Sequence, residues 1–116
     1  MSPIALPTNY LELLAYFAGG LTLANAIPHF VSGVMGRRFP SPFAKPPGTG
    51  QSSATTNVLW GAFNLALAYL LIVRVGDFDV RSWPDVGALG LGMLLIGVFC
   101  ARHFGGLNEG RGPNLA

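Results

Sequence analysis

The stretch LELLAYFAGGLTLANAIPHFVSGVMG, residues 11–36, decides the fold. Its only charged residue is Glu12, close to one end, and an apolar run of this length is what crosses a hydrocarbon core, which takes about 20 residues of α-helix. At about 1.5 Å per residue it overshoots a ~30 Å core unless it tilts or kinks. Pro28 supplies the place to kink: it removes one backbone donor and its ring presses on the carbonyl of Ala24.

Two further apolar stretches follow, near residues 57–75 and 86–104. Together the three predict an all-α fold, an integral membrane bundle of three transmembrane helices in one domain (1–116), the first helix long and kinked near Pro28. Composition agrees. Of the 116 residues, 51% are hydrophobic and 10% charged, whereas a soluble domain carries roughly 25% charged residues. Mean hydropathy is +0.48. A single Cys excludes a disulfide-built module within the chain. Met1 to Asn9 holds no Lys or Arg, so the first stretch does not read as a cleaved signal peptide. No repeat divides the chain, which leaves an internally duplicated transporter without support.

The connector over residues 37–56 contains Pro40, Pro42, Pro46 and Pro47 and reads as extended and stiff, with Ser52, Ser53 or Thr55 available to cap the second helix. The second connector is short, and Trp83 before Pro84 reads as an interfacial anchor. The tail over residues 105–116, rich in Gly and Asn, reads as flexible.

Orientation follows from the basic residues. Arg37, Arg38, Lys45, Arg102 and Arg111 share one side of such a bundle, against Arg74 and Arg81 on the other. The positive-inside rule then predicts an inner-membrane protein with its N-terminus outside and its C-terminus in the cytoplasm. Topology and anionic headgroups account for these charges, so nucleic acid is not an expected partner.

On the first helix Ala18, Thr22, Asn25, His29, Ser32, Gly33 and Gly36 fall on one stripe. The second helix repeats the pattern with Asn57, Gly61, Asn64 and Ala68, and the third with Gly90, Gly97 and Ala101. Small and polar stripes are the sides that meet other helices in lipid, so Gly33, Gly61, Gly90 and Gly97 are the expected packing positions. Counting inward from the connector side puts His29 and Asn64 at one depth, with Asn25 a turn deeper. The expectation is a polar intramembrane cluster of Asn25, His29 and Asn64.

His29 is the only acidic or basic side chain set well inside a span, which makes it a functional candidate, the plain alternative being a hydrogen bond that fixes helix register. Arg37, Arg38, Lys45, Gln51 and Ser52 surround a Gly-rich turn at a helix start and form a candidate site for an anion or lipid headgroup. Without a Lys before the Ser pair it is not a nucleotide-binding loop. Cys100 and His103 share a helical face, and with His29 they make a weak metal or haem alternative. No metal site and no cofactor are otherwise predicted, and no catalytic group or enzyme chemistry is evident. The leading expectation is a protein that acts by helix association, as a homo-oligomer or as an accessory subunit with another membrane protein. Two alternatives stand beside it: a small oligomeric transporter or channel lined by Asn25, His29 and Asn64, and a lipid-binding or lipid-modifying protein using His29 and residues 48–53.

Overall fold

The structure, a computed structural model, describes residues 9–109. It is all-helical: α1 (Tyr10–Val34), α2 (Ala54–Val73) and α3 (Trp83–Glu109), each long and apolar enough to cross a membrane. Each helix begins on a side-chain cap. Asn9 accepts hydrogen bonds from the Leu11 and Glu12 amides at 2.9 and 3.3 Å. Ser53 accepts from the Thr56 amide at 3.1 Å, and Ser82 from the Asp85 amide at 3.2 Å. These caps start α2 and α3 three residues earlier than the apolar runs predict.

Helix α1 runs as one element through Pro28. It ends on a Schellman motif: Gly36 takes a positive φ of 75°, its amide donates to Gly33 O and the Arg37 amide donates to Ser32 O, both at 2.9 Å. A residue with a Cβ is strained at this φ, so Gly36 fixes where the chain leaves the helix.

The helices do not close into a triangle. Helix α1 packs on α2 and on α3, while α2 and α3 have no Cα atoms within 8 Å of each other among the described residues. The body is accordingly flattened, 51 × 32 × 22 Å. Adjacent glycines on α1 explain the arrangement, because successive helix positions point about 100° apart. Gly19 faces Ile72 and Leu71 of α2, while Gly20 faces the backbone of Leu89 and Met93 of α3. Further along, Gly33 lies against Ala54 and Val58, and Gly61 against the backbone of Phe30. The interior is built of small side chains, Ala15, Ala26 and Ala68, with Tyr16 the large exception. Helix α3 is the least covered, with 11% of its apolar span buried against 33% for α1.

The first connector is not the extended linker that its prolines predict. Phe39 and Ser52 pair as an isolated antiparallel bridge, and between them the Ser41 carbonyl accepts from the amides of Ala44 and Gly48. Gly48 turns the chain with φ at 74°. Prolines fix φ but also suit successive tight turns, and here they stack such turns into a compact loop over the helix ends. Residues 105–109, predicted as flexible tail, continue α3 instead. The preceding turn is anchored to the connector, with Phe104 against Phe39 at 4.6 Å between ring centres and His103 bonded to Gly48. The remainder of that tail, Arg111 included, lies outside the described residues.

Candidate functional site

Two polar layers cross the helices near the connector. In the outer layer His29, only 3% exposed, places Nδ1 2.8 Å from Oδ1 of Asn57, which is fully buried. The other end of the Asn57 side chain faces carbonyls: Nδ2 donates to Phe39 O at 2.9 Å and lies 3.0 and 3.3 Å from Ser53 O and Ser52 O. An amide turned the other way would set its oxygen against these oxygens, so Oδ1 is the atom that meets His29. Nδ1 of His29 therefore carries a proton and donates. In the neutral ring Nε2 then holds the lone pair.

The inner layer lies one turn deeper. The Cys100 thiol of α3 lies 3.8 Å from Oδ1 of Asn25 on α1, and Nδ2 of Asn25 donates to Oδ1 of Asn64 on α2 at 3.4 Å. Asn64 passes the chain on by donating to the Trp60 carbonyl at 2.9 Å. The sequence cluster of Asn25, His29 and Asn64 is thus divided between layers: Asn25 bonds Asn64, while His29 bonds Asn57. The sequence reading placed Asn57 on the packing stripe of α2 but left it out of the cluster, because depth was counted as if α2 began at that residue. Its position seven residues before Asn64, on the same helical face, was the available signal.

Aromatic rings enclose His29. Phe39, Trp60 and Phe104 approach it edge-on with ring centres 5.4, 6.4 and 6.1 Å away. Beneath the connector, His29, Asn25, Trp60, Phe104 and His103 border a recess of about 300 Å³, with Ser41, Pro42 and Gly48 forming its connector side. It lies between Trp60 of α2 and His103 and Phe104 of α3, where no Cα atoms of the two helices come within 8 Å among the described residues. His103 donates from Nε2 to Gly48 O at 2.7 Å and pins that side of the connector to α3. A second, apolar groove of about 460 Å³ lies along Phe43, Leu59, Trp60 and Phe63, and Trp60 is a wall of both.

The remaining candidates sit elsewhere. Arg37, Arg38, Lys45 and Gln51 are exposed and do not border the recess. The Ser52 hydroxyl is 2.6 Å from that of Ser41. The amides of Gly48, Thr49, Gly50 and Ser52 all donate within the connector, so this turn does not present them as an anion cradle. His29, Cys100 and His103 do not assemble as a ligand trio: each is engaged as described, and among the described residues no three His, Cys, Asp or Glu side chains gather to hold a metal ion. Gly33 and Gly61 lie in the α1–α2 contact, whereas Gly90 and Gly97 face open space within 4 Å.

The chain matches no protein-family model, and no curated protein or solved structure is similar to it. What it does must therefore be argued from the recess at His29 and the helices that shape it.

Proposed function

We propose that this chain is a small integral membrane protein that holds an amphiphilic, lipid-class molecule in the connector-capped recess at His29. The observation that carries the reading is a buried histidine with one nitrogen committed to Asn57, bordering a recess open between α2 and α3. A buried polar atom in an apolar setting costs stability unless it finds a partner, and an ionisable residue inside a span is by default a candidate for a functional site. Orientation in this reading is connector inward: Arg37, Arg38, Lys45 and Arg102 lie at the connector end and Arg74 and Arg81 at the other. A bend in α1 between Ala24 and Pro28 belongs to the same proposal.

Native mass spectrometry of the full chain tests it. The expected result is a stoichiometric adduct of lipid-class mass on each polypeptide. Bare polypeptide from several mild detergents, with an unfolding temperature that added membrane lipid extract leaves unchanged, would remove the reading.

A second reading, self-association, is favoured by the outer face of α3, where Gly90 and Gly97 have no neighbour and little of the span is covered. Gly97→Cys in a Cys100→Ser background should crosslink to a dimer in native membranes. Absence of crosslinks there and at Gly90→Cys would dispose of it. Asn57 and Asn64 are buried against their own neighbours, so among the described residues they do not line an open polar route.

A further inference from the structure

The charge and hydrogen-bonding state of the recess narrow what it can hold, granted the reading that it binds an amphiphile. Its lining contains neither carboxylate nor Lys nor Arg. Most of its polar atoms are already engaged. The Ser41 hydroxyl bonds Ser52 and accepts from the Phe43 amide at 3.1 Å. Both ends of the Asn25 amide are used within the inner layer, and Nε2 of His103 is used on Gly48. Within the outer layer, Nε2 of His29 has no partner among the described residues, and in the neutral ring the Asn57 contact makes it the lone-pair nitrogen.

A lone pair in a wall of aromatic rings and prolines without Lys, Arg or carboxylate discriminates among head groups. A phosphate or carboxylate would bring a negative charge and more acceptors, with no cation in the recess to offset the loss of water. An ether or ester oxygen brings only lone pairs. A hydroxyl is neutral and supplies the donor that the acceptor lacks. The apolar groove beyond Trp60, along Phe43, Leu59 and Phe63, offers the adjoining surface for a hydrocarbon chain.

We propose that the recess selects an uncharged amphiphile through a hydroxyl that donates to Nε2 of His29, with the chain of that molecule lying along the groove beyond Trp60. Asn57 acts here as a positioning residue: by donating to connector carbonyls it presents its oxygen to Nδ1 and so keeps Nε2 an acceptor.

The test uses the full chain carrying Trp83→Phe, which leaves Trp60 the only tryptophan, in phosphatidylcholine nanodiscs. Three probes share the same brominated acyl chains: a diacylglycerol, its 3-O-methyl ether and the corresponding phosphatidic acid. The expected result is saturable quenching of Trp60 by the diacylglycerol, with the ether and the phosphatidic acid about tenfold weaker, the scale of one lost hydrogen bond. His29→Leu should erase the difference. Because that variant can fail to fold, 15N NMR of the histidines in the unsubstituted chain provides a second readout, with His29 protonated at Nδ1 and its Nε2 resonance shifting when diacylglycerol is added. No saturable quenching by any probe would overturn the binding reading itself. Saturable binding in which the ether or the phosphatidic acid equals the diacylglycerol would leave binding intact and overturn hydroxyl selection. A proton on Nε2 in the unliganded protein would overturn the acceptor assignment.

Discussion

Gly20 of α1 and Gly92 of α3 are reciprocal: a side chain at Gly20 would run into the backbone of Leu89 and Met93, and one at Gly92 into the backbone of Phe17 and Leu21. Two backbones approach this closely only where Cβ atoms are absent, and in lipid such close packing is a main source of helix affinity. Gly20→Val and Gly92→Val should each destabilise the chain by about 1–3 kcal/mol, read as a lower unfolding temperature in detergent. Gly87→Val, which meets open space, should stay within about 0.5 kcal/mol. Equal effects at the three positions would mean that α3 does not pack through Gly92.

Asn57 carries more than Asn64. Asn57→Leu leaves Nδ1 of His29 without its acceptor and strips a second donor from the Phe39, Ser52 and Ser53 carbonyls, which keep their backbone amides, a loss of about 1–3 kcal/mol. Asn64→Leu breaks a 3.4 Å contact, and interhelical bonds in membranes average about 0.6 kcal/mol. Histidine 15N shifts in the two variants separate them: the His29 resonances should move far more in Asn57→Leu. A larger change in Asn64→Leu would restore the cluster that the sequence predicts.

The Tyr16 hydroxyl is buried without a partner among the described residues, while its ring packs edge-on against Phe78 with centres 5.0 Å apart. Removing an unpaired buried hydroxyl relieves a desolvation penalty, so Tyr16→Phe should be neutral or stabilising. Tyr16→Ala should cost about 3–5 kcal/mol by analogy with other buried aromatic truncations. Thermal unfolding of the pair checks both signs, and a clear loss in Tyr16→Phe would reveal a partner for the hydroxyl.

His103 ties the last turns of α3 to the connector. His103→Leu removes the bond to Gly48 O while keeping an apolar side chain beside Phe104. Amide hydrogen exchange should then quicken at Gly48 and over residues 105–109, with α1 unchanged. Uniform protection in the variant would show that the Phe39–Phe104 contact alone holds this end.

The three helices were legible because a chain so poor in charge has few other ways to satisfy long apolar runs, and the glycines Gly33 and Gly61 showed their faces through helical spacing alone. The order of packing was not. Gly19 and Gly20 are neighbours in sequence, and only the fold shows that one serves α2 and the other α3. The Pro-rich connector misled for a related reason: proline restricts its own φ but leaves the chain free to turn, and the closing pair of Phe39 and Ser52 is thirteen residues apart. His29 was visible as an oddity inside an apolar run. Its partner was not, because the depth of Asn57 depends on a loop whose path composition does not encode.

The wide spacing of the α2 and α3 backbones among the described residues has a kinetic side. The α1–α2 contact, the connector bridge and the His29–Asn57 bond all lie before residue 74, so this part can assemble while α3 is still being synthesised. Helix α3 then docks onto a finished hairpin through Gly92, Cys100 and His103. Its hold on the far side of the recess is the His103–Gly48 bond and the Phe39–Phe104 contact, so that flank is a seam between two halves of the chain, fastened at the connector.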